Sequence, residues 1–482
     1  MDGGTSRFLR APSTRPLRGQ ALRAGERRGR GRRSRAPVNS RAVDQAWLDE
    51  LFEFIRIPSV SADAERVEEV RRAGEWVCDF VRGAGGEAEL RDWEGHPLAL
   101  GEISASSGNG DTPTIICYGH FDVQPPAPLD LWDSDPFEPT LRDGRLYGRG
   151  VADDKGQLYM LLRAAAELRS RDALPVNLRI CCDGEEETGG HSIVDFLSAD
   201  ERGGDACVIF DTAMLKRDVP LFNLSVRGLI YLHVRVRTGA RDLHSGVFGG
   251  AALNALHALV QALDAVLARD GRLPEPLRAG IAPPTEEELA AWAELTPGAE
   301  ELAGQGARPM DAKAAEEFYL RTFAEPALDV NGIEGGSPVL QKTVLPVEAH
   351  ANVSIRLAPG QDPDQIADQA ERLLSEAAPE GAELEINRLS QSPPGLVDPG
   401  SPAVQLGLDA FERALGTRPL LVRSGGTLPI VPALADKGIP TILTGFALPD
   451  SNIHSPNENL LADYLPLGVK AAAELFTEFA KL

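Results

Sequence analysis

The chain has 482 residues, room for two or three domains at roughly 150 residues each. Hydrophobic residues make 43% and charged residues 25%, both ordinary for a soluble globular protein. A net charge of -23 argues against phosphate-backbone binding by the whole protein, and 6% aromatic content disfavours a base-stacking surface. No apolar run reaches the roughly 18 residues that a membrane span needs.

Residues 1–41 hold twelve Arg, no Lys and only Asp2 and Glu26 as acids. This Arg-, Gly-, Ser- and Pro-rich stretch lacks apolar periodicity and reads as a disordered tail. It has no apolar core of a secretory signal. An organellar transit peptide, an RNA-binding arm and an overlong start of the reading frame all stay open. Order is expected from about Val43. Trp47, Leu48, Leu51, Phe52 and Ile55 recur at helical spacing, and Pro58 breaks that helix. A second amphipathic helix is expected over 64–82. TIICYG (114–119), Val176–Cys182 and Ala206–Phe210 read as buried strands, with a Leu- and Ala-rich helix over 157–169 between them. Buried apolar strands separated by helices predict an α/β sheet, parallel at its centre.

From Arg227 the pattern changes. Leu232, Val234 and Val236 alternate with polar residues, as do Ala349, Ala351, Val353, Ile355 and Leu357. Period-two alternation predicts sheets with one wet face. Helices near 250–268 and 361–377 accompany them, giving a small α+β domain between about 226 and 388. Within it lies an insert over 270–325, with a capping box at Thr285 and Glu288. After about 390 the helix–strand alternation returns. Cys78, Cys117, Cys181, Cys182 and Cys207 are odd in number and form no CxxC pair, so they read as reduced core thiols.

Chemistry-bearing residues follow the predicted strands, where ligands bind in open α/β sheets. His120 and Asp122 stand in YGHFDVQP; a carboxylate two residues on can orient the imidazole, as partners of metal-bound His do. Asp153 and Asp154 stand in GRGVADDKG, either a turn with a helix cap or an acid pair neutralised by a cation. Glu185, Glu186 and Glu187 stand in CCDGEEETGG; three adjacent acids at a buried strand end suit a general base beside a metal ligand. Asp211 ends the ACVIFD strand, and His454 precedes a helix in NIHSPNENL, where a single His is more often a cap or core residue. Two His and three carboxylates suit Zn or a similar divalent ion, and a shared carboxylate would make a two-metal hydrolytic site.

YGHFDVQP, GRGVADDKG, GEEETGG, the FDT at 210–212, RDLHSGVFGG and NIHSPNE come in the order of the di-zinc metallopeptidases. That superfamily includes carnosinases, bacterial dipeptidases, glutamate carboxypeptidase and N-acyl amino acid deacylases, and the chain resembles it over about 43–482. The resemblance implies an α/β fold: a mixed, largely parallel sheet with helices on both faces, plus an inserted α+β, ferredoxin-like lid and dimerisation domain. It divides the chain into a tail (1–41), catalytic segments (42–225 and 389–482) and the lid (226–388). It implies two Zn2+ per subunit, with Mn2+ or Co2+ as substitutes. His120, Asp153 and Asp211 resemble the ligands of one ion; Asp153, Glu187 and His454 resemble those of the other. Asp122 would orient His120, and Glu186 would be the general base. The peptide after the bridging Asp is commonly cis in this family, here Asp153–Asp154. His244 resembles a lid His that stabilises the oxyanion, in a segment reaching the partner subunit's site. Arg356 resembles an Arg that holds the substrate carboxylate; Thr343, Gly426 and Thr427 resemble further substrate contacts. Asp at 211, with the GHFDVQP and DLHSGVFGG wording, resembles the dipeptidase and carnosinase-like branch. Carnosinase-like members carry a His near the position of Ser390, which argues against carnosine itself. The expectation is a cytoplasmic homodimeric dipeptidase acting on small peptides, binding neither nucleic acid nor membrane. An N-acyl amino acid deacylase or carboxypeptidase is the nearest alternative, a non-catalytic binding protein the remote one.

Overall fold

The structure, a computed structural model, describes residues 43–482 except Glu94 and Thr427. The Arg-rich stretch 1–41 and the substrate contact expected of Thr427 lie outside the described residues.

Two sheets organise the chain. The larger has eight strands in the order Glu87–Arg91, Leu98–Ile103, Asn177–Asp183, Thr114–His120, Ala206–Phe210, Thr441–Thr444, Leu221–Asn223, Leu420–Val422. Thr114–His120 runs parallel to both its neighbours, and Ala206–Phe210 parallel to Thr441–Thr444. The Glu87–Ile103 edge is antiparallel. The central strands are buried on both faces, as their continuous apolar runs require. Helices Gln45–Ile55, Lys155–Ser170, Tyr464–Phe479 and Pro402–Leu415 pack in succession along this sheet. Ser192–Ala199 and Ile430–Asp436 pack against each other separately. The first helix starts where the Asp44 carboxylate caps the Ala46 N–H and stops at Ile55, ahead of Pro58.

The second sheet has four antiparallel strands in the order Ala327–Glu334, Glu348–Leu357, Gly228–Arg237, Glu383–Ser392. Ile230, Leu232, Val234 and Val236 alternate inward and meet Ala349, Ala351, Val353 and Ile355 across the register. Helices Ala255–Asp264 and Pro363–Ala377 cover that face and complete a separate apolar core. The opposite face carries Tyr231, His233, Arg235, Ser354 and Arg356. Ser390 pairs with Tyr231 on the outer strand. All five cysteines are buried and unpaired.

The insert between these strands packs back on the large sheet. Trp292, Leu295 and Ala324 cluster with Val422, with Leu215 and Leu221 against them. The capping box forms: Thr285 and Glu288 each accept the other's backbone N–H.

Candidate metal centre and active site

His120 ends the central strand Thr114–His120 and is fully buried. Its Nδ1 lies 3.1 Å from the Asp122 carbonyl oxygen and 3.2 Å from Asp122 Oδ1. Its Nε2 lies 3.0 Å from Asp153 Oδ1 and 3.7 Å from Asp211 Oδ1. The second Asp153 oxygen, Oδ2, is 3.0 Å from His454 Nε2, which is 3.1 Å from Glu187 Oε2. One carboxylate thus stands between two imidazoles. His120, Asp153 and Asp211 form one group with metal-ligand spacing, and Asp153, Glu187 and His454 form the other. The peptide Asp153–Asp154 is cis.

Backbone and side-chain contacts hold these groups in place. The Asp122 carboxylate accepts the Ser61 hydroxyl at 2.6 Å and the N–H groups of Glu186 and Glu187 at 3.2 and 3.1 Å. It therefore fixes the turn Glu186–Thr188 as well as His120. Gln124 donates from its backbone and its amide to the Glu187 carboxylate, at 3.1 and 2.9 Å. Glu458 is fully buried and pairs with Arg149 at 2.6 Å. It accepts the N–H groups of Gly150, Ala152 and Asp153 at 2.9–3.2 Å. It thereby ties the Asp153 loop to the segment carrying His454. Ser61, Gln124 and Glu458 were not singled out from sequence. The only pointer to Glu458 is its place four residues after His454.

The electrostatics follow from crowding. Burial pushes the Glu186 carboxyl up to about 9, with Asp211, Asp153 and Glu187 adding and His120 opposing. Burial likewise pushes Asp211 up to about 6 against the pull of His120. Burial also opposes ionisation of Asp153, but the two imidazoles outweigh it and hold this carboxyl well below its usual range. Hydrogen bonds to Asp153 and Glu187 raise His454 to about 10 against burial. In His120, burial disfavours the imidazolium, yet Asp122, Asp153 and Asp211 raise its pKa well above the usual value.

The donor set fits divalent cations. Carboxylates of Asp122, Asp153, Glu186, Glu187 and Asp211 crowd two imidazoles, His120 buried and His454 half exposed, and so many partly buried carboxylates repel one another without a cation. Nitrogen and oxygen ligands at this spacing suit Zn or a similar ion.

The remaining expected site residues fall into two further groups. His244 is exposed, and its Nδ1 accepts the Gly246 N–H at 3.0 Å. The adjoining Ser245 N–H and hydroxyl both donate to the Thr343 carbonyl, at 3.0 and 2.8 Å, which joins these two segments. Gly426 and Arg356 meet through Arg227. Its backbone N–H donates to Gly426 O at 2.8 Å, and its Nη2 lies 3.4 Å from Arg356 O. Among the described residues, no hydrogen bond or ion pair joins His244 to the two ligand groups.

Ligand-type side chains gathered at the carboxyl ends of a largely parallel sheet define a metal-dependent hydrolase. The profile of peptidase family M20/M25/M40 matches residues 116–478, and the chain belongs to that family. It is 29% identical over 476 residues to the Cys-Gly metallodipeptidase dug1 of Schizosaccharomyces pombe, covering 90% of this chain and 96% of the relative. It is 28% identical over 447 residues to the Beta-Ala-His dipeptidase of Homo sapiens, covering 89% and 86%. Among solved structures, an M20 family metallo-carboxypeptidase from Sulfolobus solfataricus superposes with a TM-score of 0.79 at 27% identity, covering 90% of this chain and 99% of that one.

Proposed function

We propose that this enzyme is a dipeptidase that hydrolyses the peptide bond of dipeptides at a two-zinc centre. The observation carrying this reading is the Asp153 carboxylate, whose two oxygens face His120 in one ligand group and His454 in the other. Curated relatives named as dipeptidases over nearly the full length support it. Asp153, His120 and Asp211 would hold one ion; Asp153, Glu187 and His454 would hold the second. Bound divalent ions supply Lewis-acid polarisation of the scissile carbonyl and lower the pKa of water.

The chain's own residues do the rest. Glu186 has a raised proton affinity, which suits taking a proton from the attacking water and handing it to the leaving amine. Asp122 orients His120 through Nδ1. Arg356, with Gly426 and Thr427, receives the free C-terminal carboxylate. His244 and Thr343 belong to a lid, 226–388, inserted between catalytic segments 42–225 and 389–482. They reach the site of a second copy in a homodimer, where His244 stabilises the oxyanion. Exposed Val247, Phe248 and Val344 beside His244 suit such an interface. Five buried free thiols support a reducing, cytoplasmic setting.

The test is a panel of dipeptides, dipeptide amides, N-acyl amino acids and tetrapeptides on the purified chain, stripped with chelator and reloaded with Zn, Mn or Co. Chelation should abolish hydrolysis and metal restore it, with free dipeptides cleaved best. Preference for acylated amino acids, or efficient cleavage of tetrapeptides, would overturn the dipeptidase assignment.

A further inference from the structure

Arg227 is 6% exposed, yet among the described residues no carboxylate forms an ion pair with it and its Nε has no hydrogen-bond partner. A buried, unpaired guanidinium is costly, and a fold that keeps one has a use for its charge. The backbone beside it is close-packed: a Cβ on Gly228, the next residue, would stand 2.6 Å from Ser392 O and 2.7 Å from Pro394 N. Arg227 Nη2 donates to Glu325 O at 3.0 Å, at the end of the insert, and lies 3.4 Å from Arg356 O. Its backbone N–H holds Gly426 O at 2.8 Å. One residue therefore grips the Arg356 strand, the Gly426 loop and the insert together.

Its charge also reaches Arg356. Burial, and then the Arg356 guanidinium, lower the Arg227 pKa to about 10, with Asp329 opposing. Two neighbouring guanidiniums repel each other, and an anion received between or beside them relieves that repulsion. The Gly426 loop closes the same corner.

We propose that Arg227 is a positioning residue for the carboxylate end of the substrate site: it holds the Arg356 strand and the Gly426 loop in register and keeps a second positive charge near that corner, so that the corner selects a free carboxylate. This rests on the reading of Arg356 as the carboxylate receiver. It implies that discrimination between a free dipeptide and its C-terminal amide is shared by two arginines, only one of which touches substrate.

The test compares Arg227→Met and Arg227→Lys with the unaltered, metal-loaded full chain, using one dipeptide and its C-terminal amide. For the free dipeptide, Arg227→Met should raise KM by about 10-fold with kcat within about threefold, the scale of losing a nearby but non-contacting charge in a partly desolvated site. For the amide, KM should barely move, so the preference for the free acid shrinks by the same factor. Arg227→Lys keeps the charge without the planar fork and should recover part of that preference. Metal content and the melting transition serve as folding controls. If the unaltered chain does not discriminate between acid and amide, the carboxylate reading of Arg356 falls, and this proposal with it. If it discriminates and both variants keep its preference, or lose acid and amide activity equally, only the assignment of Arg227 is overturned. Failure of both variants to fold likewise overturns it in favour of a purely structural role.

Discussion

Asp153 presents one oxygen to each imidazole. Without cations, His120 and His454 are both driven toward imidazolium by their acidic neighbours. Metal ligation requires the neutral rings, so loading must expel those protons. The sign follows: raised imidazole pKa values mean that acid competes with metal, and affinity falls as pH falls. Calorimetric titration of Zn in two buffers of different ionisation enthalpy should show net proton release. Equal heats in both buffers would contradict it. Under the proposed mechanism, the neighbours Glu186 and Glu187 have separate tasks. Glu186→Gln should retain metal and lose rate by roughly 10²–10⁴, the usual worth of acid–base catalysis. Glu187→Ala should lose metal affinity instead. Metal analysis alongside kcat distinguishes them, and an emptied site in folded Glu186→Gln would reverse the roles. Glu458 supports the ligands from behind. Glu458→Gln should weaken metal retention by about 10- to 100-fold in a chelator competition, as loss of ligand-supporting partners does. The ligand-type residues stood out because they sit in short acidic or His motifs, those of His120, Glu187 and Asp211 directly after apolar strands. Ser61, Gln124, Glu458 and Arg227 were not, because their meaning lies in contacts far along the chain; Glu458 meets Gly150 across 308 residues. A single acid in a loop carries no local sign of such a partner.

At the scale of elements, the insert between strands of the four-stranded sheet is tied to the large sheet by a buried ion pair. Arg423, at the end of strand Leu420–Val422, donates Nε to Glu288 Oε1 at 2.6 Å and Nη2 to Oε2 at 3.0 Å. It also donates to the carbonyls of Ala282 and Pro283 at 3.0 and 3.2 Å. Burial works against the Glu288 carboxylate, but Arg423 and the Thr285 N–H outweigh it and hold its pKa below 4.5. A depressed carboxyl pKa contributes stability above the unfolded value, and that contribution is lost as pH falls through the lower folded value. Glu288→Gln leaves Arg423 buried and unpaired, at a cost of about 3–5 kcal/mol. Thermal melts should show a lower Tm for the variant at neutral pH, with the gap to the unaltered chain narrowing below pH 4.5. A constant gap across that range would remove Glu288 from the acid response. Periodicity made the strands and helices of the four-stranded sheet unit readable, since one face of each is buried. The edge strand Glu87–Arg91 was not readable. Its sequence EAELR has little strand propensity, and it is extended because Leu98–Ile103 offers it a partner. The helix expected over 250–268 is shorter, Ala255–Asp264, because the Asn254 side chain caps the Leu256 and His257 N–H groups and starts it late.

For the whole molecule, the position of His244 decides whether one chain can make a complete site. His244 sits on the short strand Leu243–His244, paired with Val344–Leu345, and is exposed among exposed Val247, Phe248 and Val344. Exposed and without a hydrogen bond or ion pair to the ligand groups, His244 is placed by the proposed mechanism at the site of a second copy. Two variants separate this from action within one chain: His244→Ala and Glu186→Gln, co-expressed with different tags and purified as a heterodimer. If His244 works in trans, one site of the mixed pair joins an intact Glu186 to the partner's intact imidazole. That site should turn over, giving up to about half the unaltered activity per dimer, while the other carries both lesions and is silent. If His244 works within its own chain, each site keeps one lesion and the heterodimer is as inactive as its parents. An assembled, metal-loaded heterodimer with no activity would therefore remove the shared site while leaving the metal-dependent hydrolase assignment standing. A chain monomeric at working concentration yet fully active would do the same.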